Sequence, residues 1–132
     1  MKLITSILAG AALALGAGAA TAGDAVEKGE ARLAKILEGR VAGEPVRCIT
    51  TFRSNTPEII DRVALVHREG KTIYVGRPIR PRSLDSRDIL LIERFSSSQL
   101  CGGDHMRMID RTGGYTTGLV WVKEFVPYTK AG

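Results

Sequence analysis

Val63-Ala64-Leu65-Val66-His67, then Arg68-Glu69-Gly70-Lys71, then Thr72-Ile73-Tyr74-Val75: this stretch decides the fold class. Two short apolar runs rich in β-branched residues flank a polar tetrapeptide with one glycine, which is the pattern of a β-hairpin. Outward from it the chain keeps the same character. On the N-terminal side, Gly43-Glu44-Pro45 reads as a turn, and residues 46–52 alternate, with Val46, Cys48, Thr50 and Phe52 on one face. On the C-terminal side, residues 76–88 read as a long basic loop. Residues 89–92, 106–109 and 119–122 read as strands. Arg111-Thr112-Gly113-Gly114 reads as a turn between the last two, and Pro127 as the end of pairing. One helix is expected, over residues 24–39. Asp24 and Glu27 supply a D-x-x-E variant of the capping box, Val26, Leu33, Ile36 and Leu37 form its apolar side, and Gly39 is its left-handed cap. The expectation is therefore α+β: an N-terminal helix packed on a small antiparallel β-meander or barrel of about six strands.

The chain has 132 residues, 44% hydrophobic and 25% charged, with 19 Lys and Arg against 14 Asp and Glu. That length and composition fit one ordinary globular domain. Residues 1–22 have the pattern of a cleaved export signal. Lys2 is followed by an uncharged run over residues 3–20, ending in Ala20-Thr21-Ala22, the small-residue site that signal peptidase accepts. The domain expected after cleavage is 23–132, with no membrane span, and its destination is periplasmic or secreted. Asp24 and Glu27 follow where a stop-transfer segment would carry basic residues.

Export changes the reading of Cys48 and Cys101, the two cysteines of the chain. In an oxidising compartment an even count in a small domain points to one intramolecular disulfide, whereas a redox-active pair would want C-x-x-C spacing. Two cysteines also exclude zinc ribbons and iron–sulfur clusters.

The order of several segments is similar to that of a known family. Gly39-Arg40-Val41-Ala42-Gly43-Glu44-Pro45-Val46-Arg47-Cys48-Ile49 and Ser83-Leu84-Asp85-Ser86-Arg87-Asp88-Ile89-Leu90 carry the likeness. So do Ser97-Ser98-Gln99-Leu100-Cys101 and Phe125-Val126-Pro127-Tyr128. Together they resemble a family of small exported proteobacterial proteins of unknown function, over roughly residue 30 onward. The resemblance implies a periplasmic or secreted protein with its two cysteines near the ends of the core. It implies no activity, cofactor or catalytic residue.

Chemistry-bearing residues are sparse. Ser96, Ser97 and Ser98 lack a G-x-S-x-G elbow. His67 and His105 are the only side chains whose ordinary pKa makes them bases near neutrality, and both read as strand-surface residues. His105 follows Asp104, but adjacent strand residues point to opposite faces. His67, His105, Asp85, Asp88 and Asp104 show no metal-ligand spacing, and Asp85 and Asp88 read instead as caps of the turn into Ile89. Gly102-Gly103 and Gly113-Gly114 precede no Lys-Ser/Thr and read as strand-end turns, not phosphate loops. No catalytic residue, metal site or cofactor is expected.

The distinctive feature is Arg77-Pro78-Ile79-Arg80-Pro81-Arg82, three arginines without an acid, with Arg87 close behind. Guanidinium groups grip phosphate and carboxylate bidentately, so Arg77, Arg80, Arg82 and Arg87 are candidate anion-binding residues. Nucleic acid is not the expected partner. Aromatics are only 5% of the chain, and Tyr74, Trp121 and Phe52 read as core or core-edge residues rather than a stacking platform. The expected function is a non-enzymatic envelope-binding or structural protein whose partner is an anionic envelope polymer or another envelope protein. The alternative is a small proteinaceous inhibitor of a periplasmic or foreign hydrolase.

Overall fold

The computed structural model describes residues 20–51, 56–93 and 98–131. In chain order these form α1 (Ala20–Ile36), β1 (Arg40–Ala42), β2 (Cys48–Thr50), β3 (Glu58–Ile60), β4 (Ala64–Glu69), β5 (Thr72–Pro78), a 3₁₀ turn (Pro81–Ser83), β6 (Ile89–Glu93), β7 (Gln99–Cys101), β8 (His105–Ile109), β9 (Thr116–Val120) and β10 (Val122–Lys130). The α+β expectation holds, with one helix beside antiparallel strands. Among the described residues ten strands stand where about six were expected: β1, β3 and β7 have three residues each and are too short to display a period, and the expected strand over 119–122 is divided between β9 and β10.

The hairpin forms as expected. Gly70 takes φ +56°, and β4 and β5 pair antiparallel from Glu69↔Thr72 back to Leu65↔Gly76. It sits in a five-stranded sheet of order β1-β10-β5-β4-β3, accompanied by a β2-β7 pair and a three-stranded β6-β8-β9 sheet. A simple meander is thus excluded, since β10 enters between β1 and β5. Pro127, expected to end pairing, lies inside β10. Its missing N–H costs one ladder bond at most, while Val126 and Tyr128 keep register with Val75 and Ile73, and its carbonyl accepts from Gly43 N–H at 2.7 Å.

Both faces of the central sheet are covered, which explains the unbroken apolar run in β4. Ala64 and Val66, with Ile60, Val63, Ile73 and Val75, pack under Leu33 of α1. Leu65, on the opposite face, joins Ile49, Leu84, Leu90, Leu100, Met106, Met108, Val120, Val122 and Phe125, so the two smaller sheets close over that side. In β2 the buried side chain is Ile49, whereas Val46, Cys48 and Thr50 are half-buried; Phe52 lies outside the described residues.

The helix differs from its expected bounds. It is helical from Ala20, so Asp24 lies within it and caps nothing, and it ends at Ile36. Gly39 does take the left-handed conformation, φ +74°. Leu33 is buried and Ile36 and Leu37 pack partly, but Val26 is exposed. The close approach is made instead at Gly29, where a Cβ would lie 2.5 Å from Val63 Cγ2 and 3.0 Å from the Asp61 carbonyl oxygen. Of the expected 1–22 leader, residues 1–19 lie outside the described residues and 20–22 begin α1. Among the described residues no helix is long and apolar enough to cross a membrane.

Cys48 and Cys101 are bonded, with S–S 2.08 Å, and face each other across the β2-β7 pair. The Gly102-Gly103 turn that follows is pinned from inside. The Asp104 carboxylate, buried, accepts from Cys101 N–H at 2.8 Å, and Asp104 N–H donates to the Cys101 carbonyl at 3.1 Å.

Candidate functional site

The four arginines singled out above do not form one basic loop. β5 runs three residues further than expected, to Pro78, so Arg77 is a strand residue, and its side chain is bound to the helix. Arg77 Nη1 and Nη2 donate to Glu30 Oε1 and Oε2 at 2.7 and 3.2 Å. This fork-on-carboxylate pair holds the Glu30 carboxyl below its ordinary value, chiefly through the hydrogen bonds from Arg77 and against a smaller opposing effect of burial. The same contact raises the Arg77 guanidinium.

Because the folded-state pKa of Glu30 is depressed, its contribution to stability is present above the unfolded value near 4.5 and fades as pH falls through the folded one. Both side chains are about half exposed, so solvent screening keeps that contribution under about 1 kcal/mol. Glu30→Gln is therefore expected to lower urea stability by a few tenths of a kcal/mol at pH 7, roughly the range of exposed pairs. The gap should close in acid, below pH 4.5. A gap that stays constant in acid would mean that the pair contributes through packing, not charge.

Arg87 is also occupied. Its Nε and Nη2 donate to Asp85 Oδ1 and Oδ2 at 3.1 and 2.9 Å, and its backbone N–H donates to Asp85 Oδ1 at 2.9 Å. These bonds lower the Asp85 carboxyl. Asp85 is thus a turn cap, as expected. Asp88 is not; it accepts from the Thr117 hydroxyl at 2.7 Å, tying β9 to the segment before β6.

Arg80 and Arg82 remain. Both are exposed, on either side of Pro81 at the 3₁₀ turn, and among the described residues no carboxylate lies within ion-pair distance of either. The turn is anchored by Leu84, which is buried and whose N–H donates to the Pro81 carbonyl at 3.0 Å. Gly118 of β9 packs on Ser83 closely enough that a Cβ would come 2.9 Å from the Ser83 Cβ. The two free guanidinium groups therefore stand on a braced backbone.

Beside them the structure exposes Trp121, which the sequence reading placed at the core or core edge. Trp121 is 52% exposed, with Leu119 72% and Ile79 68%, while Val120 and Val122 between and beyond them are buried. Ile79 N–H donates to the Trp121 carbonyl at 2.9 Å, which makes the two residues backbone neighbours. Tyr74 packs partly against the core, as expected.

The histidines separate. His67 is buried, contrary to expectation, with Nε2 donating to the Thr50 carbonyl at 2.9 Å. The reason is that β4 is covered on both faces. His105 is exposed while Asp104 is buried and committed to Cys101, so these two neighbours do not orient one another. Ser96 and Ser97 lie outside the described residues. Among the described residues no group of three or more His, Cys, Asp or Glu side chains is placed to hold a metal ion. Two open depressions flank α1. One of about 230 Å³ is lined by Val75, Arg77, Lys123, Glu124, Val126 and Tyr128; the other, of about 260 Å³, lies along Ala25, Lys28, Gly29, Arg32, Ile60 and Asp61. Neither gathers a base, a nucleophile and an oxyanion donor.

No family model matches the chain, and neither a curated protein nor a solved structure shows significant similarity to it.

Proposed function

We propose that this chain is an exported, non-enzymatic binding protein of the cell envelope that contacts anionic surfaces through Arg80 and Arg82. The observation that carries this reading is the difference among the four arginines: two are neutralised by Glu30 and Asp85, and two face solvent unpaired on a braced turn. Planar guanidinium groups held on a fixed backbone suit phosphate or carboxylate acceptors on a partner. The disulfide supports the exported setting, because thiols are kept reduced in the cytosol. The excess of Lys and Arg over Asp and Glu, 19 against 14 in the full chain with only Lys2 in the expected leader, adds a weak long-range attraction to such surfaces.

The experiment is retention on anionic envelope fractions at low and high salt. Arg80→Ala/Arg82→Ala is expected to reduce retention about 30-fold, the equivalent of ~1 kcal/mol for each basic residue at an anionic surface. Arg77→Ala is expected to leave it within about threefold, since that charge is already paired. Retention of wild type should fall at high salt, as screening shortens to a few ångström. Equal retention by the double variant and wild type would defeat the reading.

A further inference from the structure

Strand alternation defines the outer surface next to the two free arginines. Val122 pairs with Pro78, and both are buried, so the next pair along, Trp121 and Ile79, points to the opposite side. Leu119, Trp121 and Lys123 follow one another on that outer side because Val120 and Val122 take the inner one. On β5, Ile73 and Val75 lie under α1, Arg77 is bound to Glu30, and Ile79, next in the same alternation, is exposed. The helix therefore covers one part of this side of the central sheet and leaves bare the surface where Ile79 meets Trp121, with Leu119 exposed two residues earlier on β9 of the three-stranded sheet.

We infer that this bare face docks on an anionic phospholipid bilayer, with Ile79, Leu119 and Trp121 entering the headgroup–acyl boundary and Arg80 and Arg82 bound to lipid phosphates. The inference deepens the anionic-surface reading above and rests on it. The argument is one of complementary chemistry. An exposed indole flanked by aliphatic side chains is amphipathic in the way the water–lipid boundary favours. Unpaired guanidinium groups one and three residues from Ile79 match a phosphate layer just outside that boundary. A soluble anionic polymer would satisfy the arginines but would leave the three apolar side chains in water.

Trp121 is the only tryptophan of the chain, so its fluorescence reports on this face alone. The protein, in the form the exporting cell accumulates, is mixed with vesicles of phosphatidylcholine or of phosphatidylcholine with phosphatidylglycerol. It is expected to float with the anionic vesicles, to shift its emission to the blue, and to be quenched by bromine-labelled acyl chains. Ile79→Ser/Leu119→Ser should abolish quenching and weaken partitioning at least tenfold, roughly the loss of two partly buried aliphatic side chains. Its thermal unfolding should stay unchanged, because both side chains are solvent-exposed. Arg80→Ala/Arg82→Ala should weaken partitioning about 30-fold. Flotation without quenching, released completely by salt, would overturn the insertion while leaving the arginine contact standing. Retention on anionic polysaccharide, or capture by an envelope protein, with no vesicle binding would overturn it in the same way. Failure to bind vesicles and polymer alike would remove both readings.

Discussion

Replacing Cys48 and Cys101 together by alanine is expected to lower unfolding free energy by about 4 kcal/mol, the chain-entropy value for a closed loop of this length. The two cysteines are 53 residues apart, and the intervening chain contains β3 to β6, including the whole β4-β5 hairpin. The bond therefore closes a loop over a separation of 53 in a chain of 132 residues. It also holds a β2-β7 pair of only three residues per strand, a length at which a two-stranded ribbon is marginal without support. Urea unfolding of the double variant beside oxidised wild type measures the loss directly, and the thermal midpoint should fall on the order of 15 °C for a domain of this size. A loss under about 1 kcal/mol would mean that the unfolded state is already compact around this loop.

Phe125→Ala is expected to cost a similar amount, about 4 kcal/mol, the middle of the range for truncating a buried aromatic. Phe125 is 1% exposed and lies among the core residues that join the central sheet to the two smaller ones. Its backbone also makes both hydrogen bonds with Val46, at 2.7 and 2.8 Å, fixing the segment that leads into β2. Opposite it stands Gly76, where a Cβ would come 2.8 Å from the Phe125 ring, so the ring occupies space that only glycine leaves open. Phe125→Leu should recover most of the stability in the same urea titration, because it restores much of the lost volume. If leucine proved as damaging as alanine, ring shape and not volume would be the controlling quantity.

The elements that were legible in the sequence share one property: their signal is local. The 63–75 hairpin shows itself through two β-branched runs and a glycine that takes φ +56°. The helix stop at Gly39 and the turns at Gly103 and Gly114 are likewise backbone requirements written at single positions. Errors arose where a local pattern had two solutions. Asp24 fits a helix start, yet the helix already exists at Ala20. His67 fits a surface strand position only if one face of β4 is open, and both are covered.

The candidate site divides in the same way. Its charges were visible, but their availability was not. Arg77 is cancelled by Glu30, 47 residues earlier, and no local pattern reports such a partner. Arg87 is cancelled by Asp85 only two positions away, a pairing that spacing could have indicated, since turn carboxylates commonly bond the backbone two residues on.

By itself the sequence determined that this is a small α+β chain rich in antiparallel strands, with one hairpin placed correctly and one pair of cysteines available to each other. Only the tertiary structure decided which side of the Leu119-Val120-Trp121-Val122 run faces inward. All four residues are apolar, so a period of two satisfies either face equally well. The choice falls to the sheet beneath. Val120 and Val122 join Met106, Leu100 and Phe125 in the buried cluster, and Leu119 and Trp121 are left in water, Trp121 beside Ile79. The burial energy of one strand depends on the shape of all its neighbours, and a surface is what remains after that packing is complete.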